Sequence, residues 1–215
     1  MIKISKPEDI LRAYSNWLRL DNAPFWALAT QPQSFVQTHV ASEKGLNHFV
    51  KDRMDHFEVP VSMSYPLTKL NAGVVLTPNT WEVLARGFNP NLQQFLLDYL
   101  MPHLKEFQNS HIRIDKGFKQ NSNDLYINGK KFFGELSFTK AGVIYYACMI
   151  NFDLTGEDKQ DILTGLKEDK NFYPDKVESL TGIENFLDKI WRSHLLEEIE
   201  AHLFRLAKTP EYINY

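Results

Sequence analysis

The sequence predicts an α+β fold, a mixed and largely antiparallel β-sheet flanked by helices. Three observations lead there. Short β-prone runs come in groups along the 215 residues, separated by segments whose apolar residues recur at helical spacing. The order reads helix, two strands, helix, two strands, helix, four strands, helices, which favours hairpins over one-to-one alternation of strand and helix. Asn128-Gly129, between two of the runs, is a strong hairpin signal, because a type I′ turn needs positive φ at both central residues. No internal repeat or interdomain linker interrupts the pattern, so residues 1-215 are expected to form a single domain.

In chain order, Ser5 and Glu8 form a capping box for a first helix with Ile10, Leu11, Tyr14, Trp17 and Leu18 on one face. FWALAT (25–30) and SFVQTHV (34–40) read as paired strands. Ser42 caps a second helix that reaches Phe57, with Leu46, Phe49, Val50, Met54 and Phe57 inward. EVPVSMSY (58–65) and AGVVLT (72–77) follow as strands. Asn89 and Pro90 make a cap and first-turn pair for a third helix over 91–107, its stripe Leu92, Phe95, Leu96, Tyr99 and Leu100, with a kink at Pro102. HIRID (111–115), the two arms of the Asn128-Gly129 hairpin and VIYYACMINFDL (143–154) supply four strands. After a polar linker, Thr181 and Glu184 box a long final helix carrying Phe186, Leu187, Ile190, Trp191, Leu195, Ile199 and Leu203.

Composition narrows the function classes. A net charge of -3 gives no bulk electrostatic case for a nucleic-acid backbone, so no nucleic-acid partner is expected. The single cysteine, Cys148, excludes an internal disulfide and a cysteine-rich zinc site. Lys3, Lys6, Glu8 and Asp9 interrupt the start where a signal peptide needs an apolar run, and no stretch approaches the roughly 18 apolar residues of a spanning helix. A cytoplasmic protein without a membrane partner is expected. None of the seven histidines forms an HxxxH or HxH pair, and His194 and His202 read as partly exposed residues of the last helix, so no metal site is expected. The chain contains no GxSxG elbow, no GxGxxG and no GxxxxGK[ST] loop. Cys148 lies in an apolar strand, where a core thiol is the ordinary outcome and a nucleophile the other.

The hairpin NDLYINGKKFFGELSF (123–138) is where chemistry can be placed. A two-residue turn pairs Ile127 with Lys130, Tyr126 with Lys131, Leu125 with Phe132, Asp124 with Phe133 and Asn123 with Gly134. Period two then puts Leu125, Ile127, Phe132, Leu136 and Phe138 on one face, and Asp124, Tyr126, Lys131, Phe133, Glu135 and Ser137 on the other. The second face brings the Lys131 ammonium within reach of Asp124, while Gly134 marks a bulge or a close approach. A fixed ammonium on an open strand surface suits a carboxylate, an acyl carbonyl or a phosphate. Two solvated lysines beside a turn remain the other reading.

These residues resemble the catalytic core of the biotin and lipoate protein ligases. The match runs through Asn123, Asp124, Gly129, Lys130, Lys131 and Gly134, then Asn151, Asp153 and Leu154, and YPDKVESLTGIENFL (173–187) is similar to the segment lipoate ligases carry next. The resemblance implies a class II synthetase and biotin-ligase-like sheet. It implies a reaction in which lipoate, octanoate or biotin is activated, often as an acyl-adenylate from ATP and Mg²⁺, and passed to a lysine on a lipoyl or biotinyl carrier domain. It further implies Lys131 as the catalytic cation at the acyl carbonyl, with Asn123, Asp124, Gly134, Asn71 and Gly73 binding substrate. The chain departs from the family where an Arg-rich, triple-glycine segment would stand: VPVSMSYPLTKLNAGVVLT (59–77) has Gly73 alone and no arginine. The expectation is therefore a divergent acyl ligase or acyltransferase. The alternatives are a non-catalytic binding module on the same scaffold, or acyl transfer from a carrier without ATP, which needs an exposed, reactive Cys148.

Overall fold

In chain order the strands of the computed structural model are β1 (Ile2–Ile4), β2 (Phe25–Thr30), β3 (Phe35–His39), β4 (Asp55–Val59), β5 (Gly73–Leu76), β6 (Thr80–Arg86), β7 (Ile114–Lys116), β8 (Leu125–Ile127), β9 (Lys130–Lys140) and β10 (Val143–Asn151). The helices are α1 (Glu8–Trp17), α2 (Leu92–Leu100), α3 (Gly156–Gly165) and α4 (Lys189–Lys208), with a 3-10 turn over Glu184–Phe186. The structure describes residues 2–4, 8–21, 23–30, 35–39, 55–59, 73–76, 80–103, 114–116, 124–165, 177–187 and 189–208.

A seven-stranded sheet runs in the order β1-β2-β6-β10-β9-β8-β7, and β4-β3-β5 form a separate sheet. Neighbours are antiparallel except for the parallel pairs β1 with β2 and β3 with β4. The architecture is the expected α+β class. Two apolar faces follow from the two-residue period of the strands. Trp26, Leu28, Trp81, Val83, Tyr146, Cys148 and Ile150 pack under α2 and α4, which contribute Leu92, Leu96, Leu100, Leu195, Ile199 and Leu203. The intervening residues Phe25, Ala27, Ala29, Leu84 and Tyr145 pack under Ala13, Tyr14 and Trp17 of α1.

Strand β6 is buried at every position although it contains Glu82 and Arg86. Both charges are partnered, as burial requires. Tyr14 donates to Glu82 Oε1 at 2.6 Å. Arg86 donates to the carbonyls of Asn16 and Ala23 at 2.8 and 3.0 Å and pairs with Asp21 at 2.8 Å, which fastens the chain beyond α1 to the middle of the sheet.

Several expectations need correction. FWALAT and SFVQTHV do not pair; β2 lies between β1 and β6, whereas β3 belongs to the other sheet. The second helix does not reach Phe57, because Asp55–Val59 is a strand; residues 41–54 lie outside the described set, as does Ser5. Strands β1 and β6 and helix α3 are additional to the expected elements. The third helix ends at Leu100, so Pro102 follows its end and kinks nothing. Its cap is Asn91 at φ 48, whose N–H is accepted by Asn89 Oδ1 at 2.9 Å. The final helix begins at Lys189, and Thr181 serves another partner, described below. No described helix is long and apolar enough to cross a membrane.

His202 of α4 is partly exposed, as expected, and is held by two contacts. Its ring stacks on Phe95 at 4.3 Å, and its Nε2 lies 2.7 Å from the Pro90 carbonyl, to which Nε2–H donates. Burial lowers its pKa, outweighing the Pro90 hydrogen bond, and nearby Arg205 adds to the lowering. The folded state thus takes up a proton less readily than the unfolded chain, whose histidine titrates near pH 6.5. This contribution is complete above that pH and is lost as the pH falls towards the lowered folded value. The thermal midpoint of the wild type is expected to drop more between pH 7.5 and 5.0 than that of His202→Gln. Equal drops in the two proteins would refute the assignment.

Candidate functional site

The turn between β8 and β9 has the backbone its sequence demands: Asn128 lies at φ 51 and Gly129 at φ 76. It sets the first two pairs as expected, Ile127 with Lys130 and Tyr126 with Lys131. One step further the register shifts, and Leu125 pairs with Phe133. Phe132 is therefore an extra residue in β9, a β-bulge. The expected faces change beyond it. Phe133 joins Leu125 and Ile127 in the core under α2 and α4, while Leu136 and Phe138 pack on the α1 side.

The same shift carries Gly134 to the face of Lys131. Lys131 Nζ lies 2.8 Å from Asp124 Oδ2. A Cβ placed on Gly134 would stand 2.8 Å from that Nζ, 2.9 Å from Lys131 Cε and 2.9 Å from Asp124 Oδ1. The ion pair therefore lies directly over the bare strand at Gly134, and no other residue type leaves that space open. With 34% of its side chain exposed, Lys131 remains open to a ligand, while Asp124 is more enclosed at 18%. Tyr126, opposite Lys131, points its hydroxyl at the same Asp124 Oδ2 from 3.5 Å. Burial, and then the Asp124 charge, raises the Tyr126 pKa and keeps the phenol protonated. Met149, paired with Gly134 on β10, continues the floor on that face.

The backbone of Lys131 is held from its other side. Its N–H donates to Ser179 O at 2.8 Å, and its carbonyl accepts from Thr181 N–H at 2.9 Å, making a short parallel bridge at Leu180. The same segment is tied to the end of β10 by Ile183 N–H to Asn151 O at 3.1 Å and Glu184 N–H to Phe152 O at 2.7 Å. Gly182 lies where these meet. A Cβ there would sit 2.6 Å from Leu154 N and Phe152 O. The stretch 177–184 thus joins the backbone of Lys131 on one side to residues 151–154 at the end of β10 on the other.

The other expected residues are distributed differently. Asn123 and Asn71 lie outside the described residues, and Gly73 opens β5 in the smaller sheet. Lys130 is exposed at the turn. Cys148 is buried in the core, and burial pushes its thiol far above the ordinary range, which leaves it unsuited to the nucleophilic role. Exposed His194 lies 3.6 Å from Glu197, and among the described residues no group of three His, Cys, Asp or Glu side chains could hold a metal ion. Sequence reasoning places Tyr126 on the right face but gives it no role. Its cross-strand position opposite Lys131, fixed by the turn, is the signal that finds it.

No protein-family model matches the chain, and no curated protein sequence matches it. Solved structures do. A lipoate-protein ligase A bound with ATP superposes with a TM-score of 0.52 at 12% identity, over 95% of this chain and 82% of that one. P. falciparum LipL1 in complex with lipoate gives 0.53 at 12% identity, over 99% and 69%. The bi-partite lipoate protein ligase from Thermoplasma acidophilum, described with its E2 lipoyl domain, gives 0.50 at 12% identity, over 95% and 80%. The chain has the fold of the lipoate-protein ligases.

Proposed function

We propose that this chain is a single-domain acyl ligase or acyltransferase that accepts a small carboxylic acid of the lipoate, octanoate or biotin class and delivers it to a lysine on a carrier domain. The observation that supports the reading is the Lys131 ammonium, fixed by Asp124 over Gly134 and still open to a ligand. Asp124 takes one of its three protons, leaving two that can meet the oxygens of an acyl group as charge develops there. The bridge to Ser179 and Thr181 fixes the backbone from which that ammonium projects, so little reorganisation is needed when substrate arrives.

The similar structures support the substrate class by what they hold: one contains ATP, another lipoate, and a third is described with its lipoyl domain. ATP, when bound, supplies the activation of the acid. The donors of this site fit its phosphate oxygens, with Lys131 as the cation and Asp124 as the group that orients it. Mg²⁺ is expected to enter on the nucleotide phosphates, its usual manner of binding.

The experiment is direct. The purified chain is incubated with ATP, Mg²⁺ and lipoate, octanoate or biotin, and adenylated acid and pyrophosphate are followed by mass spectrometry, with thermal unfolding of the same mixtures in parallel. A working site with ligand at 100 times its Kd gains about 2.7 kcal/mol, which for a chain of this size raises the midpoint by about 5–10 °C. If no acid, nucleotide or acyl thioester gives product or shift, the catalytic reading fails and the scaffold is a binding or interaction module.

A further inference from the structure

We propose that Tyr126 is a third member of this site, a second hydrogen-bond donor that acts with Lys131 on one oxygen of the incoming carboxylate. The proposal rests on the acyl-ligase reading and extends it. Two facts of geometry carry it. The Tyr126 hydroxyl and the Lys131 ammonium, cross-strand partners in the hairpin, converge on the same atom, Asp124 Oδ2, from 3.5 and 2.8 Å. That oxygen is itself a carboxylate oxygen, so one carboxylate already lies within reach of both groups. The register leaves no ambiguity about the face, because the bulge at Phe132 falls after the Tyr126 and Lys131 pair and leaves it intact.

Chemistry favours a phenol in this place. A second ammonium beside Lys131 would repel it, whereas a neutral hydroxyl adds a directed bond without charge. Burial and the neighbouring carboxylate hold the phenol protonated, so it stays a donor through the range in which an acid substrate is ionised. Asp124 then keeps both donors aimed at one point while substrate is absent. Substrate shares these donors with Asp124 or draws them from it.

The test is a double-mutant cycle on binding of octanoate, the simplest acid of the class, by calorimetry with wild type, Tyr126→Phe, Lys131→Ala and the double variant. Tyr126→Phe removes only the hydroxyl, and an unchanged thermal midpoint certifies the fold. A donor to a charged acceptor is worth about tenfold in binding, so Tyr126→Phe is expected to weaken octanoate about tenfold. The double variant is expected to lose less than the product of the single losses, because the two donors serve one oxygen. Wild-type affinity in Tyr126→Phe alongside weakened binding in Lys131→Ala overturns the role of Tyr126 and leaves the acyl-ligase reading standing. Losses that multiply independently also overturn it, since donors to a common atom must couple. Failure of the wild type to bind octanoate, lipoate or biotin defeats the ligase reading itself and this proposal with it.

Discussion

Lys131→Ala is expected to fold like the wild type and to lower acyl activation about a hundredfold or more. The two halves of that expectation have separate causes. The ion pair with Asp124 is partly solvated, with 34% of the lysine side chain exposed, and pairs of that kind contribute under about 1 kcal/mol to stability. Removing a preorganised donor from the oxygen where charge develops typically costs about a hundredfold to a thousandfold in rate. Gly134→Ala sharpens the point. Its new Cβ would collide with Lys131 Nζ and Cε at 2.8 and 2.9 Å, atoms at the far end of a flexible side chain. Lysine can move aside, so the fold should keep its stability, or gain a few tenths of a kcal/mol from replacing glycine within a strand. Activity should nonetheless fall towards that of Lys131→Ala, because the ammonium can no longer lie where it did. Measured side by side, unfolding midpoints within about 2 °C and turnover lost in both variants are the expected result. Full turnover in Gly134→Ala would show that the ammonium's seat over this glycine does not matter.

Gly182→Ala should behave in the opposite way, with a large loss of stability. Here the added methyl meets Leu154 N and Phe152 O at 2.6 Å and Asp153 Cα at 2.7 Å. These are backbone atoms at the end of β10 and cannot rotate away. Overpacking of this kind costs up to about 3 kcal/mol, a fall of about 6–12 °C in the midpoint for a chain of this length. The segment must withdraw from β10, and with it go the hydrogen bonds from Ile183 and Glu184 and the bridge at Lys131. Protection of the Lys131 and Thr181 amides from hydrogen exchange should therefore fall in the variant. A midpoint within about 1 °C of wild type, well inside the shift that overpacking produces, would mean that the segment accommodates the methyl by some other route.

The hairpin was legible because its turn chemistry is local. Asn128-Gly129 admits one common turn type, and the turn fixes the pairs nearest to it, including Tyr126 with Lys131. The bulge was legible only in part: Gly134 marked the stretch, but not the position, since Phe132 and Phe133 are both large and apolar and the sequence offers no reason to leave one of them unpaired. Strand β6 escapes a sequence reading for a different reason. Glu82 and Arg86 argue against a buried strand until their partners are known, and those partners, Tyr14 and the carbonyls around α1, lie about 70 residues away. Helix α3 could have been found: Thr155 and Asp158 exchange hydrogen bonds across its start at 2.9 and 3.1 Å, a capping pair visible in the sequence. Thr181 has the same kind of spacing to Glu184, yet its N–H goes to Lys131. A capping signature establishes that a backbone turn is satisfied, and it does not by itself guarantee a long helix beyond that turn.

The bulge at Phe132 makes the site a matter of parity. A strand is a two-colour object, each residue committed to one side by whether its number is odd or even. One supernumerary residue reverses that commitment for everything downstream while leaving everything upstream untouched. In β9 the reversal falls between Lys131 and Gly134, so a lysine and a glycine of opposite parity come to share a side. Were Phe132 deleted, Lys131 and Gly134 would stand two residues apart in a regular strand and would still share that side.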